Sequence, residues 1–157
     1  MLKPSVVTSH TEDVSFLEGL ARILSDTQIV TAKAQTYHWN VTVMAFKPLH
    51  DLFQEIHQDH FEAQDTLAER IKALDGHADG KLSQALKRSS IEECDGSVSA
   101  VKMVEGLAWD QKTLSSSLLE LARIAENLGD AVTNDLAIER ASAHDKFAWM
   151  LKTHLTA

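Results

Sequence analysis

The deciding stretch begins at Tyr37-His38-Trp39-Asn40-Val41, continues through Lys47-Pro48-Leu49-His50-Asp51-Leu52-Phe53, and ends at Asp65-Thr66-Leu67-Ala68-Glu69-Arg70-Ile71. Leu49, Leu52, Phe53, Ile56, Ala63, Leu67, Ile71 and Leu74 recur at helical spacing. Pro48 suits the first turn of a helix, and nothing breaks the pattern before Gly76. A single helix is therefore predicted over about residues 48–74, with Phe46-Lys47-Pro48 as the turn before it and Gly76 as its stop. His50 falls in its first turn. Asp65 and Glu69 fall near its far end, four residues apart and so on one face. His50 and Asp65 are separated by about 22 Å along the axis, whereas ligands sit roughly 2–2.5 Å from a metal ion. One helix cannot bring both to one ion. Either the residues are unrelated, or the site forms between two chains whose helices pack antiparallel about a twofold axis. In the second case His38 and His50 come from one chain, and Asp65 and Glu69 from its partner.

The surrounding chain reads as helix throughout. Leu17, Leu20, Leu24, Val30, Ala34 and Val41 mark a stripe over residues 12–41. Residues 76–97 form a long connection in which Leu82, Ala85 and Leu86 fit a short helix. Two further helices are predicted over 98–128 and 131–154, with Gly129 between them. Short links at either end and one long crossover define an all-α, ferritin-like four-helix bundle with a short extra helix in the crossover. Residues 1–10 read as a tail and 11–157 as a single domain. Only 6 glycines and 2 prolines interrupt 157 residues, as long helices require.

Charge and composition exclude several roles. The net charge of −8, with Lys3 the only basic residue of the tail, speaks against direct binding to nucleic acid phosphates. An acidic chain suits a protein that concentrates cations. No apolar run is long enough to cross a membrane. The single cysteine, Cys94, has no intrachain partner, which fits a reducing cytoplasmic setting with nucleoid association left open. No Glu-x-x-His pair occurs, which disfavours a di-iron site held within one bundle. Met44, Met103 and Met150 read as core.

His38-Trp39-Asn40-Val41, Leu49-His50-Asp51-Leu52-Phe53 and Asp65-Thr66-Leu67-Ala68-Glu69-Arg70-Ile71 resemble the Dps (DNA-binding protein from starved cells) family, the mini-ferritins. The block from Gly129-Asp130 through Asp145-Lys146-Phe147-Ala148-Trp149 is similar to that family's last helix. The resemblance implies a homo-oligomeric hollow dodecamer. It implies ferroxidase sites at twofold interfaces, where His38, His50, Asp65 and Glu69 bind Fe²⁺, with room for two ions per site. H₂O₂, or alternatively O₂, would oxidise Fe²⁺ to Fe³⁺, and ferric mineral would be stored inside, protecting DNA from oxidative damage. Trp39 would lie beside the iron as an electron donor, and Asp130 and Asp135 would line iron-entry pores. The chain departs from the family pattern at Val43, where glycine is usual. It departs again at Gln54, where an aspartate often helps hold a second iron, and at His57, where tyrosine is common.

Each residue also has a plainer role. A lone histidine on a helix usually serves surface or core. Glu69 could pair with Lys72, three residues on. Asp130 and Asp135 could cap a helix and compensate its dipole. His57 and His60, three apart, are an auxiliary metal pair or else a solvated patch. At the level of the whole protein the alternatives are a DNA-compacting architectural protein, or a structural bundle without ferroxidase activity.

Overall fold

The computed structural model describes residues 10–156, with side-chain surroundings from residue 15 onward. The expected tail therefore lies outside the described residues, apart from His10. Five helices follow in order: α1 (His10–Asn40), α2 (Phe46–Ala73), α3 (Leu82–Arg88), α4 (Ala100–Leu128) and α5 (Ala131–Thr153). There is no strand among the described residues. The five-residue link 41–45 folds α2 back along α1, and Gly129-Asp130 folds α5 back along α4. The two hairpins pack mainly through α1 against α4, while α2 meets α5 along a narrower seam and α3 lies on α1. Leu20, Ile23, Val30, Ala34, Phe53, Ile56, Leu67, Leu107, Leu114, Leu118 and Leu151 fill the core between them. No helix among the described residues is long and apolar enough to cross a membrane.

The helix ends differ from expectation in instructive ways. α2 opens at Phe46, two residues before Pro48, so Phe46-Lys47-Pro48 is first turn and not link. Proline is tolerated throughout a first turn because those amides have no intrahelical partner. The far end of α2 closes on Asp75, whose φ of 60° is left-handed, and not on Gly76. The Gly76 amide donates to Ile71 O at 2.9 Å and the Asp75 amide to Lys72 O at 3.0 Å, which is a Schellman closure. Gly76 is needed for space: a Cβ there would lie 2.8 Å from Ile71 Cγ2 and 3.0 Å from Ile71 O. α4 starts at Ala100 because the Ser99 hydroxyl accepts from the Lys102 amide at 3.3 Å. Met103 is buried and Met150 partly so, but Met44 stands in the link fully exposed and is not core.

The crossover is tied down by one buried carboxylate. Asp26 of α1 accepts from Ser89 Oγ at 2.7 Å, from the Ser90 amide at 2.7 Å and from Ser90 Oγ at 2.9 Å. Three donors to a buried charge supply the hydrogen bonds that its burial would otherwise remove.

A candidate metal centre divided between the ends of α2

His38 sits in the last turn of α1 and His50 at the start of the second turn of α2, so the 41–45 link brings them together. Their rings stack with centroids 3.8 Å apart and planes inclined by 22°. His38 Nδ1 lies 2.8 Å from the His50 carbonyl oxygen, and His50 Nδ1 lies 2.8 Å from the His38 carbonyl oxygen. A carbonyl oxygen only accepts, so each Nδ1 must carry the proton. Each neutral ring is thereby left with its lone pair on Nε2. Reciprocal bonds of this kind orient an imidazole and fix its tautomer before a metal arrives. Phe46 stacks on His50 at 4.8 Å, and His57 meets His38 edge-on at 5.4 Å. Burial, followed by the charge of His38, pushes the His57 pKa down. Trp39, next to His38, is exposed.

Asp65 and Glu69 lie on the exposed side of α2 near its other end. The Lys72 ammonium reaches Gly76 O at 2.8 Å and forms no ion pair with Glu69. Asp65 opens onto a groove of about 620 Å³ that Leu24, Gln28, Phe61 and Ala68 also line. Among the described residues no three His, Cys, Asp or Glu side chains lie close enough to hold a metal ion. Within one chain the imidazole pair thus lies at one end of α2 and the two carboxylates at the other.

The remaining candidates separate. Asp130 caps α5, accepting from the Thr133 amide at 3.0 Å, and holds the Arg70 guanidinium through two oxygens at 2.8 Å. Burial works to raise its pKa, but Thr133 and Arg70 outweigh that and hold it below the usual carboxylate range. Asp135 is exposed. His57 and His60 do not converge. His60 is fully buried with Nδ1 2.9 Å from Asp59 Oδ2 and Nε2 2.9 Å from Gln111 Nε2. Gln111, Arg140 and His144, which join His60 in the interior, went unremarked in the sequence. Their signal was there: Gln111 interrupts the stripe Leu107, Leu114 and Leu118, and His144 interrupts Ala137, Ala141, Ala148 and Leu151.

The bundle with its long crossover is of the ferritin-like class, and the ferritin-like domain family matches residues 17–157. DNA protection during starvation protein 2 of Bacillus anthracis is 31% identical over 139 residues, covering 88% of this chain and 95% of that protein. The crystal structure of Dps from Staphylococcus aureus superposes with a TM-score of 0.88 at 32% identity, covering 92% of this chain and 97% of that one. A Dps protein of Vibrio cholerae O1, described as a member of a broad superfamily of ferritin-like diiron-carboxylate proteins, superposes with a TM-score of 0.88 at 26% identity, covering 98% and 100%. The chain belongs to the Dps, or mini-ferritin, family.

Proposed function

We propose that this protein oxidises Fe²⁺ and stores the ferric product, with each site completed by two chains. His38 and His50 of one protomer and Asp65 and Glu69 of a twofold-related copy would bind the substrate ion. The observation that carries this reading is the reciprocal pair of Nδ1–carbonyl bonds, which leaves Nε2 of each neutral ring as the ligating nitrogen on two stacked imidazoles, while among the described residues no three candidate side chains of one chain converge to hold an ion. Borderline nitrogen and hard oxygen donors together suit Fe²⁺. The two carboxylates favour the more highly charged Fe³⁺, so binding and oxidation pull in one direction. H₂O₂ is the oxidant proposed first: it takes one electron from each of two Fe²⁺ ions and is reduced to water without releasing hydroxyl radical. Gln54, a neutral amide where the family often has aspartate, weakens the second iron position.

Antiparallel pairing also gives the interface a centre. If His50 faces Asp65 and Glu69 of a copy, the twofold axis passes close to residues 58–60. Phe61, exposed and lining the grooves on both sides, lies near that axis and would meet its own copy. Trp39, beside His38, is the proposed electron donor. Of the pore candidates, Asp135 fits better than Asp130, whose carboxylate is engaged by Arg70 and Thr133. The proposed assembly is a dodecameric shell in the cytoplasm, where the lone Cys94 would stay reduced. Protection of DNA then follows from removing iron and peroxide. The net charge of −8 disfavours compaction by direct contact.

The test is to load the protein with Fe²⁺ without oxygen, add H₂O₂, and follow iron and protein together on a sizing column. Many ferric ions per chain co-eluting with a particle of about twelve chains is the expected result. A large particle without iron would leave only a structural shell, and a monomer without iron would remove the shared site.

A further inference from the structure

The bundle interior holds a second polar cluster that the proposed iron site does not use. His60 on α2, Gln111 on α4 and His144 on α5 are all buried. His60 Nε2 lies 2.9 Å from Gln111 Nε2 and 3.1 Å from Gln111 Oε1, and with both rings neutral the hydrogen bonds run as follows. The Asp59 carboxylate accepts from His60 Nδ1 at 2.9 Å, so His60 Nε2 is bare when the ring is neutral. That nitrogen accepts from Gln111 Nε2 at 2.9 Å. Gln111 Oε1 then accepts from His144 Nδ1 at 2.6 Å. Asp59 is held in turn by Arg140 of α5, through Nη1 at 3.2 Å and Nη2 at 2.6 Å. The chain crosses the bundle from α5 through α4 to α2 and returns to α5, closing a loop over the seam where α2 and α5 meet.

We infer that His60, Gln111 and His144 form a proton-operated latch on the α2–α5 seam, closed while both imidazoles are neutral and opened by acid. A proton added to either ring would place a cation in the buried cluster, where the Arg140 guanidinium opposes it and, for His144, a charged His60 does so as well. The charged groups acting on the pair are Asp59 of α2 and Arg140 of α5, with each imidazole acting on the other, and α4 offers only the neutral amide. Among the described residues no α1 side chain hydrogen-bonds to either ring. Phe147 packs edge-on against His60 at 5.7 Å, so the setting is apolar apart from these partners. Burial is the largest influence on both rings and lowers both pKa values, that of His144 well below the ordinary value. The unfolded chain therefore takes up protons in mild acid that the folded chain refuses, and stability is full above about pH 6.5 and lost progressively below it.

The experiment is urea unfolding of the metal-free protein at intervals between pH 7.5 and 4.5. Each excluded proton raises the unfolding constant about tenfold per pH unit, so two raise it up to about a hundredfold. His60→Gln and His144→Gln should each remove about tenfold per pH unit from that dependence, and an unchanged slope in both would overturn the latch. A second measurement needs no variant: hydrogen exchange of the unsubstituted protein at pH 7 and pH 5, corrected for intrinsic rate. Protection should fall first around residues 56–63 and 137–148. Loss spread evenly over all helices, or starting around residues 38–50, would equally overturn it.

Discussion

His38 and His50 each donate a hydrogen bond from Nδ1 to the other's main-chain carbonyl, so the backbone alone holds the imidazole pair in place. His50→Ala should lower the rate of Fe²⁺ oxidation about 10–100-fold while helix content and particle size stay as they were. Stopped-flow absorbance after peroxide addition, beside circular dichroism, separates the two effects. Iron affinity should also fall on acidification, because a protonated imidazole cannot ligate. Asp59 titrates elsewhere. Burial works to raise its pKa, but the bonds from His60 and Arg140 hold it far below the usual carboxylate range. A depressed carboxylate stabilises the fold above its unfolded pKa, about 4, and that contribution is lost only below there. In acid unfolding the imidazole pair therefore acts first and Asp59 second. At this scale spacing singled out His38, His50, Asp65 and Glu69 as candidates, and the resemblance to the family pattern made them the proposed ligands. The fate of His60 could not be read this way, because three residues turn a helix by about 300°, which leaves His57 and His60 about 60° apart. That angle carries one ring onto the rim and the other into the core.

Helix α2 has the central place because its length sets the distance between His50 and the Asp65–Glu69 pair. Its end is held by Asp75 in the left-handed region and by Gly76 packed against Ile71. Gly76→Ala would force a methyl group into contact with Ile71 Cγ2 and O, and should cost about 1–3 kcal/mol, read as a lowered urea midpoint. The crossover depends on Asp26 in the same local way. Asp26→Ala leaves Ser89 and Ser90 without their acceptor, and proteolysis within residues 76–99 should accelerate before the four long helices are cut. Helix existence and order followed from apolar periodicity and from the few glycines and prolines. The exact ends did not, because caps are decided by which side chain reaches which orphan amide.

For the whole molecule, the proposal that two chains share each site makes a prediction no single-chain site would meet. A chain carrying His50→Ala and a chain carrying Glu69→Ala should each be inactive alone. Dissociated, mixed and reassembled, they should recover about a quarter of the parental sites, since half of random pairs are mixed and each mixed pair holds one intact site. No recovery, with mixed pairs confirmed by mass, would place all the ligands in one chain. Phe61→Glu would set like charges against each other at the twofold axis, and sizing chromatography should show smaller species without loss of helix. Trp109 and Trp149 are also exposed on the α4–α5 hairpin.

The sequence by itself determined the four long helices and the impossibility of bringing His50 and Asp65 to one ion, because helical rise and turn are properties of the chain alone. It also carried the family, through the resemblance of its motifs to the Dps pattern. Only the tertiary structure decided which imidazole nitrogens are free, that Asp130 is engaged by Arg70, and that His60 and His144 meet across Gln111. Those outcomes depend on contacts between residues 12 to 60 positions apart in the chain, and local pattern holds no information about which distant partner will satisfy a buried polar group.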